Sequence, residues 1–163
     1  MAILNVNGNV SSTGVVLTNT VAFKAGLNGN RTMSNTAGVF KWDHANAFSG
    51  HHFTTIDFNI GSAYNSSNTT FTAPYAGLYY FSTWLATNSS GPAQSYTSCE
   101  YYINGNRRSN GWNEVPAGYQ LWRSWDIFDL SKDDAVTFGG EWNVGGALIQ
   151  GSPRSWIMGY LIG

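Results

Sequence analysis

Hydrophobic residues along this chain come in short bursts. Runs rich in β-branched and aromatic side chains are separated by clusters of Gly, Asn, Ser and Pro over the whole length, which is the pattern of strands and turns. Strands are predicted at Thr20–Leu27, Val39–Trp42, His52–Phe58, Thr70–Thr72, Gly77–Thr87, Tyr96–Ile103, Gln120–Leu130, Ala135–Trp142 and Arg154–Ile162. Such a series with no internal repeat predicts an all-β, two-sheet sandwich and gives no support to a solenoid or propeller. Asn104-Gly105 and Asn110-Gly111 tolerate positive φ and are predicted as tight turns, and Ser131 to Asp134 as a further turn.

Alternation within the strands says more than their number. In Leu78 to Leu85, a period of two puts Tyr79, Phe81 and Leu85 on one face and Leu78, Tyr80 and Trp84 on the other. The last strand repeats this, with Trp156, Met158 and Tyr160 opposite Ile157 and Leu161. A sandwich buries one face of each sheet, so strands apolar on both faces imply that the outer face meets another molecule. A loop or the N-terminal segment of the same subunit is the alternative cover.

Composition narrows the class. Charged residues are 10% of the chain, aromatics 15%, and Gly alone supplies 19 of 163 residues; long charged helices are disfavoured and a packed core is favoured. A net charge of −1 provides no broad basic field for nucleic acid or an anionic membrane. The longest apolar runs, Tyr75 to Phe81 and Trp156 to Ile162, fall far short of the roughly 20 residues of a membrane helix. The start, Met1-Ala2-Ile3-Leu4-Asn5, has neither the basic end nor the apolar stretch of a secretory signal, so a chain made in the cytoplasm, or one already mature, is expected. Cys99 stands alone and is expected in the core rather than as a reactive thiol.

The spacing of anchor residues now carries a resemblance. Phe53, Asn59, Tyr64, Phe71, Gly77, Tyr79 and Phe81 fall at the intervals of the C1q globular-domain signature, within the C1q and tumour-necrosis-factor superfamily of jelly-roll trimers. Val21 to Leu27 is similar to that family's first strand, Leu130 to Val136 to the turn before its penultimate strand, and Met158 to Ile162 to its last strand. The resemblance covers residues 20–163 and leaves 1–19 as an extension or arm. It implies a homotrimeric jelly roll, with Tyr80, Trp84, Trp156 and Tyr160 as candidates for the trimer axis or its rim. The motif specifies packing and turns rather than a reaction. Thr83 replaces the signature's final aromatic, Ala73 stands where the family often has cysteine, and residues 1–19 carry no Gly-X-Y repeat. With its Asn, Ser, Thr and Gly content, the chain resembles C1q-like domains of bacteriophage virion proteins.

Few residues suggest chemistry. His44, His51 and His52 lack zinc spacing, and the carboxylates form neither an EF-hand loop nor a local acid–base pair. No enzyme activity and no cofactor are expected, although a calcium site assembled between subunits stays open. Trp122 and Trp125 are expected in the core. Trp112 and Tyr119 flank the segment Asn113 to Gly118, predicted as a loop, and are candidate ligand contacts, for example to a host surface glycan. Arg107 and Arg108 are read as a solvated turn or an acid-binding pair. Ile3, Leu4, Val15 and Leu17 in the N-terminal extension are candidate anchors to a major capsid protein or another virion protein. The expected function is a trimeric capsid decoration or cement protein on the virion surface; a receptor-binding fibre tip is the alternative, and a secreted C1q-like ligand the third.

Overall fold

The computed structural model describes residues 20–32, 38–41, 53–89, 94–115, 118–142 and 148–162. Strands here are β1 (Ala22–Gly26), β2 (Arg31–Thr32), β3 (Gly38–Lys41), β4 (Thr55–Ile60), β5 (Tyr64–Asn65), β6 (Thr70–Thr72), β7 (Gly77–Ser89), β8 (Gln94–Ile103), β9 (Asn106–Val115), β10 (Gly118–Leu130), β11 (Ala135–Trp142), β12 (Leu148–Ile149) and β13 (Trp156–Leu161). They form two antiparallel sheets in a jelly-roll-like sandwich, as the sequence predicts. In the first sheet β10 lines one edge of β7, β13 and β12 line successive parts of its other edge, and β1 and β4 follow beyond β13. In the second, the path is β5, β6, β11, β8, β9, with β3 paired to the part of β11 that β6 leaves free.

Period-two alternation decides what goes between the sheets. Tyr79, Phe81 and Leu85 of β7 are buried with Phe23 of β1, Tyr64, Phe71, Tyr101 of β8, Phe138 of β11 and Ile157 of β13. The Phe23 ring stacks on Tyr64 at 4.5 Å and on Phe71 at 5.5 Å, and Phe81 meets Phe71 edge-on at 5.2 Å. Rings from both sheets thus interlock. Their polar ends are satisfied at the margins: Tyr64 donates to the Phe53 carbonyl, Tyr79 to that of Tyr75 and Tyr101 to that of Ser124, each at 2.8 Å. Asn59 holds the turn after β4, its amide donating to the Tyr64 carbonyl and its Oδ1 accepting from the Tyr64 N–H. The signature anchors are therefore core and turn residues.

Two departures from the sequence reading concern turns and edges. Asn104-Gly105 does turn the chain at positive φ, 50° and 79°, but Asn110-Gly111 lies inside β9, paired with Glu100 and Cys99 of β8. β9 keeps pairing with β8 beyond the hairpin at 104–105, through a register shift between Tyr101 and Tyr102, and the second Asn-Gly pair lies in that ladder, so cross-strand bonding overrides a local turn preference. β9 therefore extends to Val115 instead of giving way to a loop at Asn113. The short strands β2, β5 and β12 escape sequence reading because two residues hold no period. β4 begins at Thr55; His44, His51 and His52 lie outside the described residues, as does the extension 1–19 with Ile3, Leu4, Val15 and Leu17.

Gly159 sits where β13 crosses the ring cluster. A Cβ there would stand 2.5 Å from the Phe81 ring and 2.9 Å from that of Phe23. Gly159→Ala is expected to cost about 1–3 kcal/mol through overpacking, read as a lowered urea midpoint with an unchanged slope; unchanged stability would show that the rings have room to give.

Burial also sets an alkaline limit. It pushes the Cys99 thiol from an ordinary 9.0 up to about 12 and raises the phenols of Tyr64 and Tyr101 above their usual 10.0. These groups stay protonated when folded while the unfolded chain ionises, so their stabilisation is complete below about pH 9 and is lost as pH rises above it. Urea midpoints should hold at pH 7–8 and fall from pH 9 to 11, by up to about 1.4 kcal/mol per pH unit for each group. Native Cys99 should resist alkylation at pH 8 and react after unfolding; a native thiol that reacts at once would contradict its burial.

Candidate recognition face and recess

The first sheet turns its second face outward, and that face is apolar. From β10 it carries Tyr119, Leu121, Arg123, Trp125, Ile127 and Asp129, which stand opposite Asn88, Ala86, Trp84, Ser82, Tyr80 and Leu78 of β7. β13 continues the rows: Trp156 opposes Trp84, Met158 opposes Ser82 and Tyr160 opposes Tyr80. Beyond β1, Phe58 and Ile60 of β4 close the sheet. Leu78, Leu121, Ile127, Tyr160, Phe58 and Ile60 are exposed, and Trp125 is 66% exposed. Trp125 was expected in the core with Trp122. Only Trp122 is there, because residues three apart on a strand point to opposite faces.

The four residues assigned to an axis or its rim do come together. Tyr80 and Tyr160 have ring centroids 5.2 Å apart, and Trp84 and Trp156 stack at 5.7 Å with 19° between their planes. Two cations close the tryptophan pair. The Arg123 guanidinium lies 4.0 Å from the Trp84 centroid, and Lys24 Nζ 5.5 Å from that of Trp156 while bridging Asp57 at 2.8 Å. Arg123, Trp84 and Trp156 therefore form one row across β10, β7 and β13, and Lys24 of β1, in register with Met158, reaches its end diagonally, so that cation–π contacts as well as ring stacking bind the group.

Past this row the face ends in a recess of about 600 Å³, lined by Trp84, Ala86, Tyr119, Gln120, Leu121, Gln150, Pro153, Arg154 and Trp156. A polar recess of about 510 Å³ shares Tyr119, Gln150, Pro153 and Arg154 with it and adds Asn30, Gly151 and Ser152. Tyr119, a candidate ligand contact from the sequence, is 70% exposed here. Trp112 is not its neighbour on one loop: it lies in β9, opposite Ser98, in the other sheet. Sequence reasoning missed Gln150 and Arg154, which no strand periodicity marks, and it missed Arg123, which the alternation of β10 could have placed.

On the outer face of the second sheet, Glu100 is 1% exposed. Its carboxylate accepts from Ser98 Oγ at 3.0 Å, from the Tyr102 hydroxyl and from Arg107 at 3.2 Å. Asp134 in turn accepts from the Ser131 N–H and the Asn104 amide, which ties the two neighbouring turns together. These carboxylates are occupied in structural bonding, and among the described residues no three His, Cys, Asp or Glu side chains gather around a common centre.

The same architecture recurs in solved structures. The globular domain of zebrafish complement 1qA protein matches with a TM-score of 0.58 at 13% identity, over 88% of this chain and 98% of that one. Murine APRIL matches with a TM-score of 0.58 at 10% identity, over 88% of this chain and 99% of that one. At such identities the likeness is one of fold. No curated protein matches the sequence. The C1q domain model, however, matches residues 19–162, and those residues include the interlocked rings whose spacing first suggested it. The chain thus belongs to the C1q domain family, whose domains are typically non-enzymatic ligand or recognition modules.

Proposed function

We propose that this C1q-like domain is a non-enzymatic structural protein of a phage virion, a homotrimeric capsid decoration or cement protein that is made in the host cytoplasm and displayed on the particle surface. The observation that carries self-association is the outer face of the β4–β1–β13–β7–β10 sheet. Leu78, Tyr80, Trp125, Ile127, Met158 and Tyr160 lie there in register on three adjacent strands, and an apolar face of this extent is the kind that association covers. The virion role is supported by the low charge content and the Asn-, Ser-, Thr- and Gly-rich sequence, with the N-terminal extension as the attachment to a major capsid protein. A receptor-binding tip is the second reading, favoured by the aromatic recess at the end of the same face.

Light scattering should give a particle of three times 17.8 kDa at micromolar concentration. Trp125 is exposed in the single subunit, so Trp125→Asp should leave strand content unchanged while producing monomer, because assembly would bury an unpaired carboxylate. A wild-type monomer, or a Trp125→Asp protein that still forms trimers, would remove this face from the interface.

Placement on the particle is tested by electron microscopy of purified virions, with and without residues 2–19 of this chain. Density for the domain on the capsid, lost on the deletion while the soluble protein stays trimeric, is the expected result. Density confined to a fibre tip would favour the second reading, and particles without the protein would overturn both.

A further inference from the structure

The recess beyond the Trp84–Trp156 row has the construction of a ligand site. Its far wall is the segment from Gln150 to Ser155, and that segment is pinned at almost every residue. The Gln150 N–H donates to the Ala86 carbonyl at 2.8 Å, the Gly151 N–H to Asn30 Oδ1 at 2.9 Å and the Ser152 N–H to the Leu27 carbonyl at 2.8 Å. The Arg154 N–H donates to the Gly151 carbonyl and the Leu27 N–H to the Ser155 carbonyl, both at 3.0 Å, while Ser155 Oγ accepts from the Ala86 N–H. Packing agrees with the bonding: a Cβ on Gly151 would lie 2.6 Å from Gly29, and one on Gly26 2.6 Å from Ser152. The opposite wall is paired strand, β7 against β10. A cleft between two fixed walls binds without first having to be ordered.

Its chemistry selects the occupant. A volume of about 600 Å³ lies in the range of small-ligand sites, where an apolar lining carries a few convergent polar groups. Those groups are Arg154 and Gln150 in both recesses, with Gln120 at the rim. Gln150 is 6% exposed. Its side-chain oxygen accepts from Arg154, which fixes the guanidinium and leaves the Gln150 amide N–H groups and the remaining Arg154 donors without a partner among the described residues. Among the described residues no carboxylate lines either recess, and Arg123 sets a second cation beside Trp84. The site therefore calls for an anion, and a planar guanidinium suits a carboxylate. Trp84 and Trp156 turn their ring faces to each other and to the flanking cations, so the exposed Tyr119 ring is the free stacking surface. A bare inorganic anion would leave this apolar wall uncovered, and a neutral sugar would leave Arg154 unpaired.

We propose that the recess binds a carboxylate-bearing sugar, with the pyranose ring on Tyr119 and its carboxylate on Arg154 and Gln150. The assignment rests on the recognition reading of the family and supplies the substrate class for a receptor-binding role. It is tested on the full chain by titration calorimetry and saturation-transfer NMR with glucuronic acid, N-acetylneuraminic acid, glucose and inorganic phosphate as probes, and light scattering on every sample. At least one acidic sugar should bind ten or more times tighter than glucose and phosphate. Arg154→Met and Tyr119→Ala, both at exposed positions, should each weaken that binding at least tenfold without altering oligomeric state. Equal binding of phosphate would reduce the site to a general anion site, and no binding by either acidic sugar would overturn the proposal, as would full binding by Arg154→Met. A monomer that binds the acidic sugar would support this inference while refuting self-association; a trimer that binds none would do the reverse.

Discussion

The interlocking of aromatic rings between the two sheets is the contact on which the remaining structure depends. Phe23 from β1 and Phe81 from β7 reach across to Tyr64, Phe71, Tyr101 and Phe138 of the opposite sheet, and burial of such rings is the largest apolar contribution a chain of this composition can make. Direction follows from it. Once Tyr79, Phe81 and Leu85 are committed inward, Leu78, Tyr80 and Trp84 must point out, since a strand allows no independent choice. The outer apolar face is therefore fixed by the same register that builds the core.

This coupling explains how much could be read from the chain beforehand. Faces of β7 and β13 were legible because large side chains occupy both parities over long stretches, and the anchor spacing was legible because each anchor is a ring or a turn residue with one structural use. Local signals failed where tertiary pairing outweighed them. Asn104-Gly105 turns and Asn110-Gly111 does not, although the dipeptides are identical, because the second is held in the β8–β9 ladder, opposite Glu100 and Cys99. Burial of Glu100 was invisible for a related reason: it depends on the Tyr102 and Arg107 donors that β8 and β9 bring to it.

The recess was the least legible feature, for it joins residues far apart in the chain. Asn30 reaches Gly151 across 121 positions, and Ser155 reaches Ala86 across 69. Neither segment has a period of its own. What brings them together is the absence of side chains at Gly26 and Gly151, which lets Gly151 approach the Gly29 backbone and Gly26 approach Ser152. Glycine here acts through close approach, and a sequence alone cannot show which distant backbone will come near.

Electrostatics decides whether such a face can be covered at all. Bringing a second molecule onto Arg123 and Lys24 would desolvate two cations, ordinarily a severe cost. Here each already has a partner of the right kind: Lys24 holds Asp57 and lies near Trp156, and Arg123 lies over the Trp84 ring. A cation–π contact is worth about 0.5–1 kcal/mol in water and about 2 kcal/mol when desolvated, so water exclusion strengthens the row that it covers. Arg154 differs, because among the described residues it meets a neutral amide and no acid. Covering it without an anion would be costly. The apolar rows from Leu78 to the tryptophan pair are thus suited to dry contact with another subunit, and the recess beyond them to a ligand that brings its own negative charge.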